Sequence, residues 1–171
     1  MAENPLFIEC HRLSPFKKRS LDIGVVLDLM IHDIDIILDF VNSKVIKIDA
    51  LGVKILTQHE DLANVRLQFE NGTVCNITAS RVANKTMRKI RLFQEDAYIS
   101  LDYEKQEAMI YRKSQNKIIR RKISIKKREP LFLELESFVD CIKNDKRPLV
   151  SGEEAREALR VALEITKQIN P

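Results

Sequence analysis

Along this chain the period of the apolar positions switches, and each switch marks an element. Residues 5–12, PLFIECHR, read as an opening strand, followed by a basic loop with Pro15, Lys17, Lys18 and Arg19. From Gly24 to Val41 the run GVVLDLMIHDIDIILDFV is apolar almost all round, which predicts a buried helix. After Asn42 the period becomes two. Residues 44–56 predict one strand or a strand bulged at Gly52. Residues 62–70 alternate cleanly, with Ala63, Val65, Leu67 and Phe69 on one face and Asn64, Arg66 and Gln68 on the other.

Asn71-Gly72 follows as a hairpin turn that tolerates positive φ at both central positions, and TVCNITASR returns as the partner strand. Further strands are predicted near 87–94, 97–103, 107–113 and 117–126. The end of the chain returns to helix. Leu131, Leu135, Phe138 and Ile142 form one stripe, with Pro148 shortly after the helix end. Ser151-Gly-Glu-Glu154 has the form of a capping box, and Ala155, Ala158, Leu159, Ala162, Ile165 and Ile169 predict the buried stripe of the last helix.

These elements predict one α+β domain over residues 1–171: a large, mostly antiparallel sheet of about seven or eight strands with helices on one face. So few helices cover only one side of so many strands. The other face is open, and either solvated or paired with a partner.

Composition changes this picture little. With 44% apolar and 32% charged residues, the chain is an ordinary soluble globular protein. Three widely spaced cysteines, 10, 75 and 141, support neither a disulfide framework nor a CxxC metal site and fit a reducing cytoplasm. No targeting segment is visible at the N-terminus, and four Asp and one His inside the 24–41 run exclude a membrane span. The net charge of +4 is concentrated in residues 117–128, KIIRRKISIKKR, where apolar residues alternate as in a strand. A basic sheet edge that discourages aggregation explains it without a nucleic-acid partner.

The 24–41 helix carries the candidate chemistry. At 100° per residue Asp28, His32, Asp35 and Asp39 fall within about 60° of one another, a narrow polar stripe on an otherwise apolar rod. Such groups are costly to bury unless paired or facing a wet cavity. Asp28 and His32, at i and i+4, can approach, and a carboxylate beside an imidazole suits it to take a proton from a hydroxyl. The stripe also fits a helix whose one polar face lies at the surface. A metal centre is disfavoured: the HExxH spacing is absent, and His11 and His59 lie on other segments.

The run from Gly24 to Asp35 resembles the D-x-x-x-H-x-x-D signature of the glucose-fructose oxidoreductase and inositol dehydrogenase family, Gfo/Idh/MocA, with Asp28, His32 and Asp35 at the three motif positions. FENGTV and ITASR are similar to that domain's central hairpin, and LVSGEEAREALRVALEI to its closing helix, so the resemblance covers almost the whole chain. It implies a C-terminal substrate-binding and dimerisation domain whose aspartate and histidine line a sugar pocket beside a nicotinamide ring. In the complete enzyme NAD or NADP would take a hydride from a secondary alcohol of a sugar, nucleotide sugar or cyclitol, and His32 the proton. The motif's style resembles the nucleotide-sugar 3-dehydrogenase branch.

The family's glycine-rich phosphate turn and its Glu-Lys-Pro lysine are missing, since glycines 24, 52, 72 and 152 cannot form such a turn. The resemblance therefore implies an absent N-terminal Rossmann domain, no cofactor bound by this fragment alone, and a homodimer or higher assembly through the sheet face. Arg12 and Arg81, each ending a strand, and Arg19 and Lys17 in the loop before the helix are candidate contacts for substrate phosphate or hydroxyl groups. A non-enzymatic module that assembles through its open sheet is the competing function class.

Overall fold

The computed structural model describes residues 5–115 and 117–170. Eight strands form one sheet: β1 (Phe7–Leu13), β2 (Val45–Val53), β3 (Leu62–Phe69), β4 (Val74–Ser80), β5 (Met87–Phe93), β6 (Ala97–Asp102), β7 (Glu107–Ser114) and β8 (Lys117–Ile123). Their order is β2-β3-β4-β1-β5-β6-β7-β8. All neighbours are antiparallel except β1 and β4, which run parallel.

The opening strand is thus central. Ile8 and Cys10 on its helix-facing side are fully buried, in line with Cys75 and Ile77 of β4 and with Leu92 and Ile90 of β5. Hydrophobic alternation sets this register, because a one-residue slip would turn the whole apolar set outward. The basic strand β8 lies at the sheet edge, as its charge pattern predicts.

The chain leaves β1 through residues 14–25 and enters a helix whose first turn, Val26–Met30, is π-helical. It continues as α1 (Ile31–Val41). Asn42 ends α1 in the left-handed conformation, at φ 44° and ψ 46°. Met30, Ile34, Ile37 and Val41 pack on the sheet. The β3–β4 turn needs less than the Asn-Gly pair allows: Gly72 has φ 87°, whereas Asn71 instead accepts the Thr73 amide on its side-chain oxygen.

Two further helices follow, α2 (Pro130–Lys143) and α3 (Gly152–Ile169). The capping box at Ser151 and Glu154 forms as predicted. The buried stripe of α3 is Ala158, Val161, Ala162 and Ile165, because α3 lies in the angle between α1 and β2; Ala155 and Leu159 face outward. No residue of α2 is buried, and its apolar stripe, including Leu135, Phe138 and Ile142, is exposed. Among the described residues no helix is long and apolar enough to cross a membrane.

Candidate active site on the first helix

The polar stripe lies on the side of α1 turned away from the sheet. His32 is exposed, and Asp28 and Asp35 are half-buried. Among the described residues the side chains of Asp28, His32 and Asp35 make no hydrogen bond, so all three are available to a ligand. The π turn qualifies the spacing argument. The Ile31 amide donates to the Val26 carbonyl, an i→i+5 bond, so the phase of 100° per residue holds along 31–41 but not across 26–30.

Beyond Asp35 the stripe opens into a cleft of about 570 Å³ whose charged lining is four acids, Asp35, Asp39, Glu154 and Glu157, and one base, Lys44. Partial burial pushes the Asp35 carboxyl above its ordinary range, and Asp39 and Glu154 add to this while His32 opposes it. The cleft is acidic, so an anionic group is disfavoured at this end of the stripe.

The predicted arginines divide into two kinds. Arg12, on the helix-facing side of β1, grips Asp33 with both arms of its guanidinium: Nε donates to Oδ2 at 2.8 Å and Nη2 to Oδ1 at 2.9 Å. Arg81 is buried just after β4. Its Nη1 and Nη2 donate to the carbonyls of Ser20 and Ile23 at 2.8 and 2.7 Å, and its Nε lies 3.7 Å from Asp61. Both guanidinium groups, candidate substrate contacts in the sequence, are hydrogen-bonded to protein groups. Lys17 and Arg19 are exposed in the loop before the helix.

Three buried acids escape sequence reasoning: Asp33, Glu60 and Asp61. Glu60 sits under the helix start, its carbonyl accepting the Val25 amide at 3.0 Å and its Oε1 the Val26 amide at 3.4 Å. Asp61 gathers the loop after β2: it accepts the amides of Ile55, Leu56 and Thr57 and the Thr57 hydroxyl. Burial pushes its carboxyl up, but these donors outweigh burial and hold it down at about 2. The available signal is their placement: Asp33 is the one acid of α1 off the stripe, and Glu60-Asp61 stand directly before a cleanly alternating strand.

Residues 5–100 match the GFO/IDH/MocA C-terminal domain. The chain belongs to the Gfo/Idh/MocA family. It is 35% identical over 167 residues to the UDP-N-acetylglucosamine 3-dehydrogenase of Acidithiobacillus ferrooxidans, covering 94% of this chain and 53% of that protein. A solved structure of that dehydrogenase superposes with a TM-score of 0.91 at 34% identity, over 98% of this chain and 54% of the other. An NAD-binding protein from Listeria innocua (TM-score 0.78, 19% identity, 97% of this chain and 53% of that one) shares the fold. So does a levoglucosan dehydrogenase solved with NADH (TM-score 0.83, 14% identity, 98% and 57%). The chain spans about half the length of these relatives. Residues 5–100 carry the family's C-terminal domain.

Among the described residues, the β1-to-α1 connection does not form a phosphate-cradling turn. The β1-to-α1 connection has Glu60 where a phosphate-cradling turn would need open space, since a Cβ on Gly24 would lie 1.8 Å from the Glu60 carboxylate.

Proposed function

We propose that this chain is the substrate half of an NAD(P)-dependent oxidoreductase acting on a secondary alcohol of a nucleotide sugar, with the dinucleotide held by a Rossmann domain outside the chain. The observation that carries this reading is the stripe of Asp28, His32 and Asp35, unbonded and turned to the free side of α1. The 35% identity to a UDP-N-acetylglucosamine 3-dehydrogenase, extending over 94% of the chain, supports the substrate class.

Oxidising an alcohol to a ketone removes a hydride from carbon and a proton from oxygen. The nicotinamide, when bound, supplies the hydride acceptor. His32 takes the hydroxyl proton, Asp28 stabilises the imidazolium and Asp35 binds a neighbouring hydroxyl. Arg12 and Arg81 support the helix, whereas Arg19 and Lys17 remain free to meet a diphosphate. That group lies at the N-terminal end of the stripe, away from the four carboxylates of the cleft.

The exposed apolar stripe of α2 supports a second domain that covers it. On the open sheet face Phe7, Phe93, Tyr98 and Tyr111 form a row across four strands, with centroids 5.7, 5.0 and 4.9 Å apart, the first pair tilted and the other two stacked. This ladder supports self-association as a homodimer or higher oligomer. The buried free thiols of Cys10 and Cys75 suit a reducing compartment such as the cytoplasm.

The test is turnover once a dinucleotide-binding domain completes the enzyme. His32→Asn is expected to lower kcat by about 10² to 10⁴ with little change in Tm. Asp28→Asn should also slow the reaction, and the double variant should lose much less than the product of the two. Intact turnover with a Tm lowered by several degrees would make His32 a structural residue and overturn the reading. Titration of NADH against this chain alone should show no micromolar binding.

A further inference from the structure

The π turn that carries Asp28 is held between two sets of contacts. On its N-terminal side Glu60 takes the Val25 and Val26 amides, and Arg81 takes the carbonyls of Ser20 and Ile23. On its C-terminal side stands the Arg12–Asp33 fork, one residue past His32. The turn holds one residue more than an α turn. Conversion of 26–30 to α geometry would rotate Asp28 relative to His32 by part of the roughly 100° that one residue spans.

Apolar packing opposes a large rotation, since Val26 and Met30 are fully buried against the sheet, but it is non-directional and does not by itself specify the hydrogen-bond register. A bidentate guanidinium–carboxylate pair is directional, because both donors must stay in the carboxylate plane. The pair is also a poor stabiliser for its place. Asp33 is 3% exposed and Arg12 12%, so both lose hydration, and apolar residues of similar volume would serve stability as well. Its geometry, not its energy, distinguishes it.

We propose that the Arg12–Asp33 pair is a positioning device that keeps residues 26–30 in the π conformation and thereby holds Asp28 in phase with His32. It rests on the reading of Asp28 and His32 given above, but its test does not depend on turnover. In the charge-neutral double variant Arg12→Met/Asp33→Leu, two apolar side chains replace the pair, so the fold is expected to survive with a Tm within a few degrees of the parent. Nuclear magnetic resonance of this chain then reads the register directly through the scalar coupling across the hydrogen bond to the Ile31 amide. In the parent the coupling partner is the Val26 carbonyl; in the double variant it should move to the Leu27 carbonyl, the i→i+4 bond of an α turn.

Arg12→Lys, which keeps the charge but not the fork, should show weakened coupling to Val26 even if the double variant does not fold. If the Val26–Ile31 coupling persists in Arg12→Lys and in any folded double variant, the pair is merely structural and the proposal falls. A failure of the acid–base reading appears elsewhere, in unaltered turnover of His32→Asn, and leaves the register result intact.

Discussion

The carboxylate of Glu60 fills the space over Gly24: a Cβ there would lie 1.8 Å from Oε1, 2.0 Å from the carboxyl carbon and 2.2 Å from Oε2. Glu60 is 1% exposed, so it has nowhere to withdraw. Gly24→Ala is therefore expected to cost about 1–3 kcal/mol by overpacking and to disturb the amide contacts at Val25 and Val26. Shortening the partner, Gly24→Ala/Glu60→Ala, should recover part of the loss. Gly152→Ala is the control. A Cβ there meets nothing, and at the first turn of α3 it should raise stability by up to about 1 kcal/mol. Chemical denaturation of the three variants checks both signs.

Asp61 sets an acid limit on the loop that feeds the helix. Its carboxyl is held at about 2 in the folded chain, against about 3.9 for an unfolded Asp. A depressed value stabilises the fold above the unfolded value, and that stabilisation is lost as the pH falls through the folded one. The window is thus about pH 4 down to about 2, with about 2 kcal/mol at stake. Asp61→Asn should lower stability at pH 7 and flatten its pH dependence in that window. A pH series of thermal melts of parent and variant measures this.

Much of the fold is legible in the sequence because its signals are local. Alternation in 62–70, the Gly72 turn and the Ser151 capping box each depend on residues within a few positions, and the strands lie where the apolar period changes. The central place of β1 is not local. It pairs in parallel with β4, 67 residues on (Phe7 with Val74), and only long-range packing decides that. The stripe on α1 is readable for the same reason that the strands are, whereas the π turn that alters its phase is not. Contacts from Arg12, Glu60 and Arg81 flank that turn, and all three come from outside the helix. Arg12 and Arg81 look like strand-end arginines in sequence because their partners, Asp33 and two loop carbonyls, are 21 to 61 positions away.

Asp35 shows the opposite sign from Asp61. Its carboxyl is raised, first by burial and then by Asp39 and Glu154, so its ionised form weakens the fold. The penalty applies above the raised folded value and vanishes below the unfolded one. Asp35→Asn should therefore raise stability modestly at pH 7, with the gain disappearing as the pH falls below the unfolded value. If Asp35 also binds a substrate hydroxyl, the same variant should raise KM in the completed enzyme, a gain of stability paired with a loss of function. Melting curves at pH 7 and pH 4 separate the two effects.

The two uncovered surfaces should respond to different partners. On the open sheet face the Tyr98 ring stacks 5.0 Å from Phe93 and 4.9 Å from Tyr111, at the centre of the ladder. Tyr98→Asp places a charge in the middle of that face and should turn a dimer of this chain into a monomer, read as a halved mass in light scattering. On α2, Phe138 and Ile142 are 60% and 67% exposed and contribute nothing to the core. Phe138→Ser/Ile142→Ser should accordingly leave the Tm of this chain within about a degree and its mass unchanged, while weakening association with a dinucleotide-binding domain supplied in trans. Should the α2 variant, and not Tyr98→Asp, dissociate the dimer, α2 would be the self-association surface and the sheet face would need another partner.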